Sequence, residues 1–89
     1  VPPEPDIEVH ASADEAFAER CAQVAFDHQL TPREAEVFEM LARGRNREYI
    51  EERLSVSRNT VKAHVKHIYA KLDIHSHQEL IDLVEGKGE

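Results

Sequence analysis

Helix start signals punctuate this chain at five places, and they constrain its fold more than any other feature. A helix leaves its first backbone N–H groups without partners, and a Ser, Thr or Asn at the N-cap accepts one of them. Ser12-Ala13-Asp14-Glu15 has the capping-box pattern, in which the first and last side chains satisfy each other's backbone N–H groups, and predicts a helix over 13–28. Phe17, Cys21, Val24 and His28 then share one face of that helix. Thr31-Pro32-Arg33-Glu34 repeats the box with Pro at the first helical position, where its missing N–H costs no bond. Val37, Phe38, Leu41 and Ala42 follow as an apolar stripe, and Gly44 suits the stop.

Asn46 caps a short helix over 47–54 that turns Ile50 and Leu54 inward; Ser55-Val56-Ser57 breaks it, and Ser57 caps the next helix over 58–72. Ser76-His77-Gln78-Glu79 opens a last helix that runs to about Glu85 before Gly86. No run alternates apolar and polar residues as a half-buried strand does. The expectation is an all-α fold: an extended leader with Pro2, Pro3 and Pro5, one extra helix, then a tetrahelical helix-turn-helix domain over 30–89.

Charge enters because its total misleads. The 89 residues carry 11 Lys and Arg against 18 Asp and Glu, a net charge of −7, which at first reading argues against a nucleic-acid partner. The excess is uneven. Residues 1–29 hold seven acids and one base, a balance of −6, and read as an acidic leader or linker. Residues 43–71 hold eight bases and three acids, a balance of +5. A single cysteine, Cys21, excludes an internal disulfide and a Cys-rich zinc site, and fits packing beside Phe17 and Val24. No apolar run approaches the roughly 20 residues of a membrane span, so a cytoplasmic location is expected. A start at Val1 without Met points to a piece of a longer protein.

The helix at 58–72 carries the functional argument. Val61, Val65, Ile68 and Leu72 define its buried stripe, and the opposite face holds Asn59, Lys62, Ala63, Lys66 and Ala70. No acid lies on this helix. Lys and Asn hydrogen-bond base edges in the DNA major groove, and the two alanines let the backbone approach the groove floor. Thr60, His64 and Lys71 along one flank, and Arg58 and Tyr69 along the other, suit phosphates. A plain solvated cationic face is the competing reading; the short helix before it and the basic residues Arg43, Arg45 and Arg47 favour the groove reader.

At these residues the chain resembles the LuxR-type (FixJ/NarL-type) DNA-binding domain of bacterial transcriptional regulators. The resemblance runs from Leu30-Thr31-Pro32-Arg33-Glu34-Ala35-Glu36-Val37 through Gly44, Ile50, Glu52-Arg53-Leu54, Ser57, Thr60-Val61, His64, Ile68 and Lys71-Leu72 to Ser76. It implies binding to double-stranded DNA as a homodimer, with base contacts at Lys62, Ala63 and Lys66. It implies phosphate contacts at or near Arg58, Asn59, Thr60, His67 and Lys71, and dimer contacts on the last helix at Ile81, Leu83 and Val84. It also implies an N-terminal sensory module outside this chain. Plain intradomain packing of Leu80 and Val84 is the alternative for that last helix. Two residues depart from the family pattern. Glu51 stands where a small residue is usual and is expected to point outward, or else to pair with Arg58 or Lys62. His77 stands where Arg is frequent.

No cofactor, small-molecule site or enzymatic constellation is expected. A metal site at His64, His67, His75 and His77 lacks a completing Cys or acid pair, and Ser57, His64 and Asp73 lack the loop an acyl-transfer triad needs. Two further readings stay open: an interaction module that keeps the fold without DNA binding, and an acidic leader that masks the basic face.

Overall fold

The computed structural model describes the backbone of residues 4–86 and the side chains of residues 15–86. Five helices and no strand make up the described residues: α1 (Glu4–Asp27), α2 (Pro32–Ala42), α3 (Arg47–Leu54), α4 (Arg58–Leu72) and α5 (His77–Glu85). The chain is all-α, as its sequence predicts.

The start signals work as expected for α2–α5. The Thr31 hydroxyl accepts the Glu34 N–H at 3.1 Å while the Glu34 carboxylate accepts the Thr31 N–H at 3.0 Å. Asn46 Oδ1 accepts from Tyr49 N–H at 2.8 Å, and Ser57 Oγ from Thr60 N–H at 3.1 Å. Each cap contributes about 1 kcal/mol. Ser76 caps Glu79 N–H at 3.1 Å, but the returning Glu79 carboxylate takes the His75 N–H at 2.9 Å, one residue before the cap the box assigns it. Gly44 and Gly86 end α2 and α5 at φ +87° and +77°, a left-handed backbone that favours glycine.

The extended leader is corrected. Backbone from Glu4 onward is helical, so Ser12 falls inside α1 instead of opening it. Pro5 sits in the first turn, where no N–H is needed. Pro2 and Pro3 lie outside the described residues.

The helix α2 is the hub, packing on α1, α4 and α5, while α3 packs on α4 and α1 reaches α5. Val37, Phe38, Ile50, Val61, Ile68 and Leu80 are fully enclosed. Each stabilises the fold by about 1.5–3 kcal/mol of apolar burial. Cys21 and Ala25 of α1 join this core, with Phe17 and Val24 packed at its edge. The stretch expected as leader or linker therefore shares the core from Phe17 onward. No described helix is long and apolar enough to cross a membrane.

Candidate nucleic-acid interface

The joint between α3 and α4 sets the geometry. Ser55 turns the chain at φ +55°, and its N–H and that of Val56 both bond back to the Glu51 carbonyl, the latter at 3.1 Å. Ser57 then starts α4, so only Ser55, Val56 and Ser57 separate the two helices, the connection of a helix-turn-helix. Burial of Val61, Val65, Ile68 and Leu72 fixes the rotation of α4. As a result Arg58, Asn59, Lys62, Ala63, Lys66 and Ala70 are all exposed.

An open groove of about 350 Å³ runs along this face, lined by Arg47, Lys62, Ala63, Val65, Lys66 and Tyr69. It gathers the three expected base-reading residues. A second cleft brings Arg47 and Glu48 against Glu51, Arg58 and Lys62. A third, of about 520 Å³, lies between the end of α2, the starts of α3 and α5 and the body of α4, with Arg45, Arg47, Tyr69 and His77 on its walls. Arg47 lines all three clefts. Its position at the start of α3 marks it as a flanking cation that sequence reasoning grouped with the basic block without giving it a role. Burial pushes the Tyr69 phenol up, with Glu79 adding to the shift and Arg47 opposing it, so Tyr69 is a neutral hydrogen-bond donor at the groove edge.

Along the opposite flank the expected phosphate ligands divide. The Thr60 hydroxyl shares a 2.9 Å hydrogen bond with Ser57 Oγ. The His67 side chain is 61% exposed, with Nδ1 3.6 Å from the Glu34 carboxylate. Lys71 departs from expectation: its ammonium donates to Glu34 Oε1 at 2.8 Å and to the Gln29 carbonyl at 3.1 Å. Glu34 is the one buried charged residue among those described. Burial alone would raise its carboxyl, but hydrogen bonds from Lys71 and Thr31 N–H, with the Lys71 and His67 charges, outweigh burial and hold it below the usual range.

Three further expectations are refined. Glu51 is half-buried at the cleft with Arg58 and Lys62, outside the core. The His77 Nε2–H donates to the Leu41 carbonyl at 2.6 Å, fastening the start of α5 to the end of α2. Val84 is corrected as a dimer contact: it lies in the core at 3% exposure beside Leu80, because i, i+4 spacing puts both on the inner face of α5. Ile81 and Leu83 remain half-buried, and Leu83 packs on the core edge. The packing of α1 on α2 and α5 leaves the basic face of α4 exposed, so no described side chain of the leader masks it. Among the described residues no cluster of three or more His, Cys, Asp or Glu is arranged to hold a metal.

Residues 28–84, from before α2 to the last turn of α5, match the family described as bacterial regulatory proteins, luxR family. The chain belongs to this family. Similar proteins include the uncharacterized response regulatory protein YgeK of Escherichia coli, 46% identical over 55 residues, which span 62% of this chain and 37% of that protein. The nitrate/nitrite response regulator protein NarL of Escherichia coli is 40% identical over 52 residues, 58% of this chain and 24% of its own length. The oxygen regulatory protein NreC of Staphylococcus haemolyticus is 43% identical over 53 residues, 60% of this chain and 24% of its own. The luxR-family segment thus corresponds to well under half of these relatives. No solved structure matches the chain. The family match and the regulator relatives support a DNA-binding regulatory role for this luxR-family domain.

Proposed function

We propose that this luxR-family domain binds double-stranded DNA sequence-specifically, with α4 in the major groove. The observation that carries the reading is the outer face of α4. It holds no acid, exposes Lys62, Ala63 and Lys66 side by side, and is flanked by Arg47 and Arg58. Lys62 and Lys66 read guanine edges, and Ala63 admits the helix to the groove floor. Arg47, Arg58, Asn59, Thr60 and His67 hold phosphates and fix the register. Two domains bind together, with Ile81 and Leu83 of α5 at the dimer contact. The response regulator relatives, of which this chain matches a minor part, support its being the output domain of a longer cytoplasmic regulator controlled by an N-terminal module.

Glu51 favours a second reading, a protein-interaction module that keeps the fold, because it places an acid in the same cleft as Arg58 and Lys62. A titration of the chain against a pool of random duplexes at two salt concentrations separates the two. DNA binding is expected to weaken with salt at a slope near −0.9 per neutralised phosphate. Absent or salt-independent binding favours the interaction module.

A further inference from the structure

We infer that Lys71 is a positioning residue of the DNA interface and not a phosphate ligand: its ammonium locks the last turn of α4 to the α1–α2 junction through Glu34 and Gln29. The inference rests on the DNA-binding reading above and departs from the role that family resemblance implies for this residue.

Both acceptors are fixed before any DNA arrives. The Glu34 side chain is only 7% exposed, and its carboxylate also holds the Thr31 N–H at 3.0 Å. The Gln29 carbonyl belongs to a left-handed residue at φ +59°, framed by hydrogen bonds from Gln29 N–H to Phe26 O at 3.2 Å and from Leu30 N–H to Ala25 O at 2.9 Å. Two of the three ammonium protons are therefore directed into the protein, at 2.8 and 3.1 Å.

A DNA phosphate would offer Lys71 another charge-assisted bond, but taking it would strand a buried carboxylate without its main partner, a costly exchange. His67, one turn earlier on the same flank, keeps most of its ring in solvent and faces Glu34 at 3.6 Å, beyond hydrogen-bond distance. The flank thus divides labour: His67 reaches outward and Lys71 holds the helix. Through Lys71, the end of α1 and the start of α2 set where α4 presents Lys62 and Lys66.

The test compares the full chain with Lys71→Gln and with the double variant Glu34→Gln/Lys71→Gln. Each is titrated with a duplex selected from a random pool and with random duplex, across a salt series. For Lys71→Gln the expected loss on the selected duplex is about tenfold, the scale of one misplaced base-edge contact, with a smaller loss on random DNA and an unchanged salt slope. The double variant leaves no stranded charge, keeps a neutral hydrogen-bonding pair and is expected to regain most of the loss. It also serves if Lys71→Gln alone does not fold. A slope shallower by about 0.9 in either variant, with equal loss on both duplexes, would make Lys71 a phosphate ligand and overturn the inference. So would unchanged affinity in Lys71→Gln. A wild-type chain that binds neither duplex would instead refute the DNA-binding reading itself.

Discussion

The Arg43 guanidinium lies 4.7 Å over the Phe17 ring, which joins the end of α2 to α1. Arg43 also forks onto Glu39 Oε2 through Nε at 3.2 Å and Nη2 at 2.9 Å. A cation that sequence alone groups with the DNA-facing residues therefore serves the packing of α1. Sequence separation hides this role, since nothing local to Arg43 points to Phe17.

Removing residues 1–29 is expected to destabilise the remaining four helices. The deletion uncovers the faces of α2 and α5 that Phe17, Cys21, Val24 and Ala25 cover. Two fully and two partly buried side chains suggest a loss of at least about 3 kcal/mol. Urea unfolding of both chains reads it directly; equal midpoints would make α1 a mere linker.

Stability at acid pH is expected to depend on Glu34. Its folded carboxyl lies below its ordinary 4.5, so the contribution is complete above that value and is lost as pH falls through the folded one. Glu34→Gln is expected to cost about 1–3 kcal/mol at pH 7. Partial exposure of Lys71 keeps this below the cost of breaking a fully buried pair. The gap between wild type and variant closes on acidification, and thermal melts from pH 7 to 3 measure it. A gap that stays constant with pH contradicts the account.

The Cys21 thiol is expected to be inert in the folded chain. Burial pushes it up to about 11, with Glu39 adding and Arg43 and Arg20 opposing. Thiolate, the reactive form, is therefore scarce at neutral pH. Alkylation by iodoacetamide is expected to track the unfolded fraction in urea. Rapid labelling without denaturant would show an accessible thiol and contradict this expectation.

The turn residue Ser55 is expected to be improvable. It adopts φ +55°, ψ +47°, a conformation that costs a side-chain-bearing residue about 1–2 kcal/mol. Ser55→Gly relieves this strain at some entropic cost, so a net gain of about 0.5–1 kcal/mol is expected in thermal unfolding. Unchanged or lower stability would show that the Ser55 side chain contributes more than its strain costs.

The starts of α2–α5 and the ends of α2 and α5 are legible in the sequence because each is set by a local device: Thr31, Asn46, Ser57 and Ser76 at the starts, Gly44 and Gly86 after the two ends. The rotation of α4 is legible for the same reason, since Val61, Val65, Ile68 and Leu72 repeat at helical spacing. Tertiary partners are not. Lys71 meets Glu34 across 37 positions and His77 meets Leu41 across 36, and no periodicity encodes such distances. The same limit explains Val84, which is apolar enough for a dimer face and differs only in which way α5 rolls onto α2. The start of α1 escaped notice because Pro and acids read as a leader, although a first turn accepts both.

The central claim, that α4 reads bases from the major groove, is tested most directly by Lys66→Ala on a selected duplex and on random DNA at one salt concentration. The expected loss on the selected duplex is about 1–3 kcal/mol, with a clearly smaller loss on random DNA. Equal losses on the two would place Lys66 on a phosphate and contradict the claim.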